Sequence, residues 1–418
     1  METQICIIGA GPAGLTAAIF AAQAGVKAVV IEKNATAGRK LLLTGGGRCN
    51  LTHTGSIDEF VRIYGKAGRF LRHSLYEFSP AAAIEFFSGL GIETKVYEDG
   101  CVFPASERAD DVRDAILQRS EELGVQFFFS RGVERVEKRG DKFAVFTGLE
   151  ILTVQKLVIA TGGVSFSQTG STGDGYKMAK ILGHTIIEPR PALVPFVTDE
   201  KWCADLAGTS LDSVTISAMV DKKKLKVCGP LVFTHDGIGG PAVLDLSRLL
   251  ADYLPASVSL GEAGPAEKPI EVFIDIVPAM NETKLDEYLT GQLSQYSRKI
   301  IVNVLFDLIP KKIAGLLCRQ AGVAETTGNQ LKKEERRKIV QLLKRMTVSV
   351  KATRPIEEAT VTRGGVSKNE IDPRTMESRI CPGLYFAGEV IDADGPCGGY
   401  NLQIAWSTGA LAGKSAAK

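Results

Sequence analysis

The sequence predicts an α/β protein whose parallel sheet is assembled from both ends of the chain, around an insertion. Three observations carry this expectation. A strand, a glycine-rich turn, a helix and a second strand follow one another within residues 4–32. Short apolar runs ending in glycines recur at 156–163 and 383–399. Between these, strand-like alternation gives way to helical spacing.

Residues 4–10 (QICIIGA) read as a short buried parallel strand, and Gly9, Gly11 and Gly14 complete G-x-G-x-x-G directly after it. In such a unit the first glycine permits the tight turn, the second lets a pyrophosphate approach the backbone, and the third lets helix and strand pack closely. Residues 12–24 have helical length, and their N-terminus supplies amide donors and a dipole to anionic phosphates. Residues 27–31 form the next strand. Glu32 then stands about 20 residues beyond the fingerprint, where an acid accepts hydrogen bonds from a ribose. Strand, turn, helix, strand and acid appear in order, so the unit reads as an adenine-dinucleotide site.

Composition bounds the rest. The 418 residues are 44% hydrophobic and 23% charged, enough for a sizeable core in two or three domains. The net charge of +2 does not mark the whole molecule as a polyanion binder. Eight cysteines (6, 49, 101, 203, 228, 318, 381, 397) form no CxxC pair, and the four histidines form no ligand-like pair. Neither a zinc site nor a disulfide framework is expected, and reduced thiols fit a cytoplasmic protein. The apolar stretch 5–31 lacks a basic leader and is interrupted by Gly9, Pro12, Gly14, Gln23, Gly25 and Lys27. It reads as strand–helix–strand rather than as a signal peptide or a membrane span.

The next block, 38–52 (GRKLLLTGGGRCNLT), places three consecutive glycines after an apolar triplet expected to be buried, Leu41–Leu43. Glycines so grouped imply close backbone approach to a planar or anionic ligand, with Arg39, Lys40 and Arg48 to balance charge.

These segments, with ATGG (160–163), STGDGYKMA (171–179), TRGGVS (362–367), TMESRICPGLYFAGEVID (375–392) and GGYNLQIAWSTG (398–409), resemble a bacterial NAD(P)/FAD-dependent oxidoreductase family. That family includes a bile-acid ring reductase and a ribosomal RNA dihydrouridine synthase. The motifs span residues 5–413. The resemblance implies a Rossmann-type, glutathione-reductase-like FAD-binding domain, and it assigns the cofactor positions. Gly9, Gly11, Pro12, Ala13 and Gly14 would face the pyrophosphate, with Glu32 and Lys33 near the adenosine. Gly38, Arg39, Lys40, Thr44, Gly46, Gly47, Arg48, Cys49 and Asn50 form a cofactor loop. Val133, Ala160, Thr161 and Gly162 return to the cofactor. Gly388, Glu389 and Asp392 would meet the pyrophosphate–ribityl region, where many enzymes of this fold carry Asp in place of Glu389. Gly399, Tyr400, Asn401, Leu402 and Gln403 would lie near the pyrimidine edge of the flavin, at the N-terminus of the last helix.

The middle of the chain reads as an insertion. The FAD-binding domain is expected at 1–190 and 352–418, a β-rich domain at 191–279 (VTISAMV, KVCGPLVF, EVFIDIV), and a helical subdomain at 280–351. No second G-x-G-x-x-G follows a strand, so NAD(P)H is expected to bind transiently near the flavin. Residues 298–354 carry 14 Lys and Arg against 4 Asp and Glu. This segment is either a surface for RNA phosphates or a set of solvated helix faces. It has few aromatic residues, and Phe306, in an apolar run, is expected in the core.

The chemistry the resemblance implies is reduction of an activated C=C bond, in uracil of large-subunit ribosomal RNA or in a small enone. Hydride goes to one carbon and a proton to the other, so a general acid is needed near the ring. Candidates are Cys49 and Cys397 in the glycine-rich motifs, Tyr400, and His235 of the insertion. Each is equally readable as a packing or loop residue. The alternative is a flavin-binding redox sensor or an RNA-binding assembly factor with little turnover. The oligomeric state is not legible.

Overall fold

The computed structural model describes residues 2–254 and 269–418, and the chain divides into two compact units, Met1–Arg190 with Thr360–Lys418, and Pro191–Ala359. In chain order the first unit begins with β1 (Glu2–Ile8), α1 (Pro12–Gln23), β2 (Ala28–Ile31), β3 (Thr52–His53), α2 (Ile57–Ile63), α3 (Gly68–Glu77) and α4 (Pro80–Gly89). It continues with β4 (Thr94–Val96), β5 (Cys101–Pro104), α5 (Ala109–Glu122), β6 (Gln126–Phe128), β7 (Val133–Arg139), β8 (Lys142–Thr147), β9 (Ile151–Ile159), α6 (Asp174–Ile181) and β10 (Ile186–Ala192). The second unit holds β11 (Phe196–Thr198), α7 (Trp202–Asp205), β12 (Ser210–Val220), β13 (Lys223–Phe233), β14 (Gly237–Gly239), α8 (Pro241–Leu250) and β15 (Ile270–Asp275). It then adds α9 (Glu282–Gln295), α10 (Ile301–Leu305), α11 (Lys311–Ala321), α12 (Lys333–Lys344) and β16 (Met346–Thr353). The chain returns to the first unit with β17 (Val361–Val366), β18 (Leu384–Phe386) and α13 (Tyr400–Ala416).

The main sheet of the first unit has seven strands in the order β6-β2-β1-β9-β8-β7, with β18 pairing β9. The pairs β6–β2, β2–β1, β1–β9 and β9–β18 are parallel, and β9–β8–β7 is an antiparallel meander. Buried runs such as CII in β1 and VVI in β2 suit strands covered on both faces. The register sets four carboxyl ends side by side: Ile8 opposes Ile31 and Ile159, and Ile159 opposes Phe386. Open α/β sheets bind ligands beyond such ends.

Helices α1 and α13 approach closely because both present small residues. A Cβ on Gly409 would lie 2.4 Å from the Ala13 carbonyl oxygen, and one on Gly413 would lie 2.3 Å from that of Ala17. Trp406, fully buried on α13, donates from its indole nitrogen to the Leu51 carbonyl at 2.9 Å and meets Phe87 edge-on at 5.2 Å. Trp406→Phe is expected to strand that buried carbonyl and cost about 2 kcal/mol of stability, read by chemical denaturation. An unchanged midpoint and slope would show the hydrogen bond to be dispensable.

The second unit is a closed barrel in the order β11-β14-β13-β12-β15-β16. The strands anticipated at VTISAMV, KVCGPLVF and EVFIDIV lie in β12, β13 and β15. Residues 255–268 of that expected β region lie outside the described residues. The expected helical segment differs at its end. Residues 346–353 are strand β16, which pairs with β15 and β11 and closes the barrel. Helices α9–α12 are thus inserted between two barrel strands, and residues 352–359 group with the second unit. The alternating, β-branched run MTVSVKAT is paired by partners about 75 and 150 residues away in sequence, contacts no local periodicity reveals. Phe306 is also corrected: it follows α10 and is 57% exposed, not core. No helix among the described residues is long and apolar enough to cross a membrane.

Candidate active site

The site begins where β1 ends. Gly9 has φ +103°, and a Cβ there would lie 2.6 Å from the Ala160 carbonyl oxygen. Gly14 is more restricted: its Cβ would fall 1.9 Å from the Gly9 carbonyl oxygen. Gly11, the N-cap of α1, is the opposite case, since a Cβ there meets nothing within 4 Å. The space over the helix N-terminus, with Pro12 and Ala13 following, is therefore the cradle that a pyrophosphate would fill. These are the residues a dinucleotide needs, so the group fits.

Glu32, buried at the end of β2, braces this cradle. One carboxylate oxygen accepts from the Ala10 amide at 2.8 Å, and the other accepts from the Asn34 amide at 2.8 Å and its side chain at 2.7 Å. Arg39 donates to Asn34 at 2.8 Å, and Lys33 pairs with Asp174 at 2.6 Å. Gly38, at φ +67°, donates to the Ala10 carbonyl. Val133 opens β7 and is half-buried. Ala160 donates to the Ile8 carbonyl at 2.9 Å, which brings Thr161 and Gly162 (φ +73°) alongside the fingerprint.

A second cluster lies beyond β18. Lys40 donates to Glu389 at 2.6 Å and to Ser165 at 2.7 Å, while the other Glu389 oxygen accepts from Ser165 at 2.8 Å and the Thr362 amide at 2.7 Å. Burial raises the Glu389 carboxyl, but the Lys40 charge and these hydrogen bonds outweigh it and hold the carboxyl below its usual range. Gly388 packs on Ala13, where a Cβ would approach to 2.7 Å. Asp392 pairs with Lys368. The sequence reading did not name Ser165, Thr362 or Lys368. TRGGVS was visible as a motif, but nothing local tied Thr362 to a residue 27 positions later.

The glycine-rich loop and the start of α13 meet at a third cluster. Gly45, Gly46 and Gly47 all have positive φ (+57°, +67°, +87°), and all three are exposed with Arg48. Thr44 turns back to the Leu41 carbonyl at 2.6 Å. Of the apolar triplet expected to be buried, Leu41 is buried but Leu43 is 46% exposed. The Arg48 guanidinium lies 4.5 Å from the Phe103 ring centre. Asn50, in the amide orientation that satisfies both ends, donates to the Thr52 and Val102 carbonyls and accepts from the Gly399 amide at 3.2 Å. Asn401 clamps the preceding loop, accepting from the Gly395 amide and donating to the Gly395 and Pro396 carbonyls. Leu402, Gly399 and Cys397 are half-buried. The Tyr400 ring is held by His53 (4.9 Å, stacked), Phe60 (4.9 Å) and Tyr64 (6.1 Å, edge-on), and its carbonyl accepts from the Tyr64 hydroxyl at 2.8 Å.

Two anticipated roles change. Gln403 is fully buried: it accepts from Thr52 at 2.6 Å and donates to Phe78 and Ser407. It fastens α13 to its neighbours, and no surface of it is open to a cofactor. Cys49 is also fully buried, in a left-handed backbone (φ +62°), and burial pushes its thiol up to about 12. A thiol so held is a poor acid and has no exposed atom to offer, which removes it as a proton donor. His235 is exposed in the turn between β13 and β14, within the second unit.

A family model described as the HI0933-like protein Rossmann domain matches residues 3–415. The chain is 30% identical over 419 residues to a 3-dehydro-bile acid delta(4,6)-reductase of Clostridium scindens, covering 99% of each chain. It is 31% identical over 410 residues to a ribosomal RNA dihydrouridine synthase of Escherichia coli, covering 96% of this chain and 95% of that one. Among solved structures, the 3-ketosteroid delta1-dehydrogenase of Sterolibacterium denitrificans aligns with a TM-score of 0.52 at 12% identity, over 100% of this chain and 99% of that one, a likeness of fold. With the level strand ends and the open Gly11 cradle, the match along nearly the whole length means that this chain belongs to the HI0933-like Rossmann-domain family.

Proposed function

We propose that the chain binds FAD at the ends of β1, β2, β9 and β18 and reduces an activated C=C bond with electrons from NAD(P)H. The observation that carries this reading is the Gly11 cradle, open above a helix N-terminus and braced by Glu32. The names of two full-length relatives, a delta(4,6)-reductase and a dihydrouridine synthase, share saturation of a ring double bond. Bound FAD would supply the two-electron transfer. Gly11, Pro12 and Ala13 would seat the pyrophosphate, the Lys40–Glu389 pair the ribityl region, and residues 45–50 with 399–402 the ring.

The acceptor is a uracil base or a small enone. The basic segment gives RNA little support, because several of its charges are spent internally. Arg336 is bidentate to Asp286, Lys344 pairs with Asp275, and Arg354 bridges Asp236 and Glu358.

The test is anaerobic. NAD(P)H is expected to bleach the bound flavin, and unmodified large-subunit ribosomal RNA or 4-androstene-3,17-dione to restore its colour. With no second fingerprint for a resident nicotinamide nucleotide, steady-state plots should be parallel, as for a ping-pong reaction. Intersecting plots would overturn the shared-site order. A flavin that NAD(P)H never bleaches would overturn the reductase reading in favour of a sensor or assembly factor.

A further inference from the structure

The strongest unassigned chemistry lies at His53, the last residue of β3. Its ring stacks on Tyr400 with centroids 4.9 Å apart and planes 20° from parallel. It is flanked by two glycines: a Cβ on Gly100 would lie 2.3 Å from its Cε1, and one on Gly398 would lie 3.5 Å from its Cδ2. The imidazole is therefore wedged against the start of α13, shortly after the glycine-rich loop in the chain. Nδ1 lies 2.6 Å from the Thr54 carbonyl oxygen. A carbonyl only accepts, so Nδ1 carries a hydrogen and the tautomer is set by the fold. Nε2 has no hydrogen-bond partner among the described residues, and the side chain is half-buried rather than sealed. The ring is thus anchored at one nitrogen, oriented by stacking and free at the other, which is the arrangement of a proton-transfer group.

We propose that His53 is the proton donor of this site. The proposal rests on the C=C reductase reading. Bound flavin, once reduced by NAD(P)H, would supply a hydride to one carbon of the acceptor's double bond. The electron pair of that bond takes the proton from Nε2 of the His53 imidazolium at the other carbon, and solvent reprotonates the imidazole. The groups facing His53 suit this role. Tyr400 faces it from α13, Cys101 is its cross-strand partner on β5, and the Glu59 carboxylate of α2 lies within electrostatic range of the ring. Burial pushes the Cys101 thiol up to about 11, so it does not compete for the proton near neutrality.

Two measurements on the flavin-loaded, full-length protein test the assignment. Imidazole resonances, assigned with His53→Asn and His53→Gln, are titrated before and after dithionite reduction. A negative charge on the reduced ring within about 6 Å should raise the His53 midpoint by about one unit. An unmoved midpoint places His53 away from the ring and overturns the proposal, whatever the acceptor. In stopped flow, both variants should keep flavin content and the rate of bleaching by NAD(P)H. Reoxidation by whichever probe is accepted, ribosomal RNA or 4-androstene-3,17-dione, should slow about 100-fold or more and lose its decline at alkaline pH. Reoxidation at the parental rate overturns the role. Failure of bleaching in the unmodified protein counts against the reductase reading instead.

Discussion

Gly11→Asp is expected to give a folded protein that purifies without its dinucleotide. Gly11 has φ −81° and ψ −178°, open to any residue, and its added Cβ touches nothing within 4 Å. The fold should therefore tolerate the change. The new carboxylate would occupy the cradle proposed for an anionic pyrophosphate at the helix N-terminus, replacing attraction with repulsion. A loss of FAD affinity of about 100-fold or more, roughly 3 kcal/mol, is expected by flavin titration. The neighbouring glycine gives the contrasting result. Gly14→Ala drives a Cβ to within 1.9 Å of the Gly9 carbonyl oxygen, backbone against backbone between α1 and the end of β1. It should cost about 3 kcal/mol of stability and reduce the yield of folded chain. Two glycines of one motif thus separate by mechanism, one guarding the ligand's space and one the packing. Retention of flavin by a folded Gly11→Asp protein would place the pyrophosphate elsewhere.

Lys40→Met is the second large effect. It removes the cation from a Glu389 whose side chain is 20% exposed, leaving a mostly buried carboxylate with only Ser165 and the Thr362 amide. Breaking a buried pair on one side costs about 3–5 kcal/mol, and partial exposure reduces this to about 2–3 kcal/mol. The pH dependence follows from the depressed carboxyl. A group held below its usual range in the folded state contributes stability above its unfolded pKa. That stability is lost as pH falls through the folded value, because the unfolded chain takes up the proton more readily. The parent should therefore lose melting temperature between about pH 5 and about pH 3 through this group, and Lys40→Met should lose less over the same window. Equal acid sensitivity in the two proteins would show that the pair contributes nothing through titration.

The dinucleotide unit was legible in the order of residues alone. Gly9, Gly11, Gly14 and Glu32 are close in the chain, and each answers to a local backbone demand that only its residue type meets. The same holds for most helices between residues 280 and 345, where periodicity over several turns suffices. Tertiary structure decided what depends on distant partners. Strand β16 was hidden in an expected helical segment because its pairing residues are far away. Gln403 and Cys49 lie inside motifs expected to hold a flavin ring, yet each points into packing, which motif spacing does not encode. The Lys40–Glu389–Ser165–Thr362 cluster joins four segments spread over 349 positions. His53 gained its setting only when the fold stacked it on Tyr400. The motifs name the neighbourhood of the chemistry, whereas side-chain direction and burial, set by long-range packing, select which residues are free to take part in it.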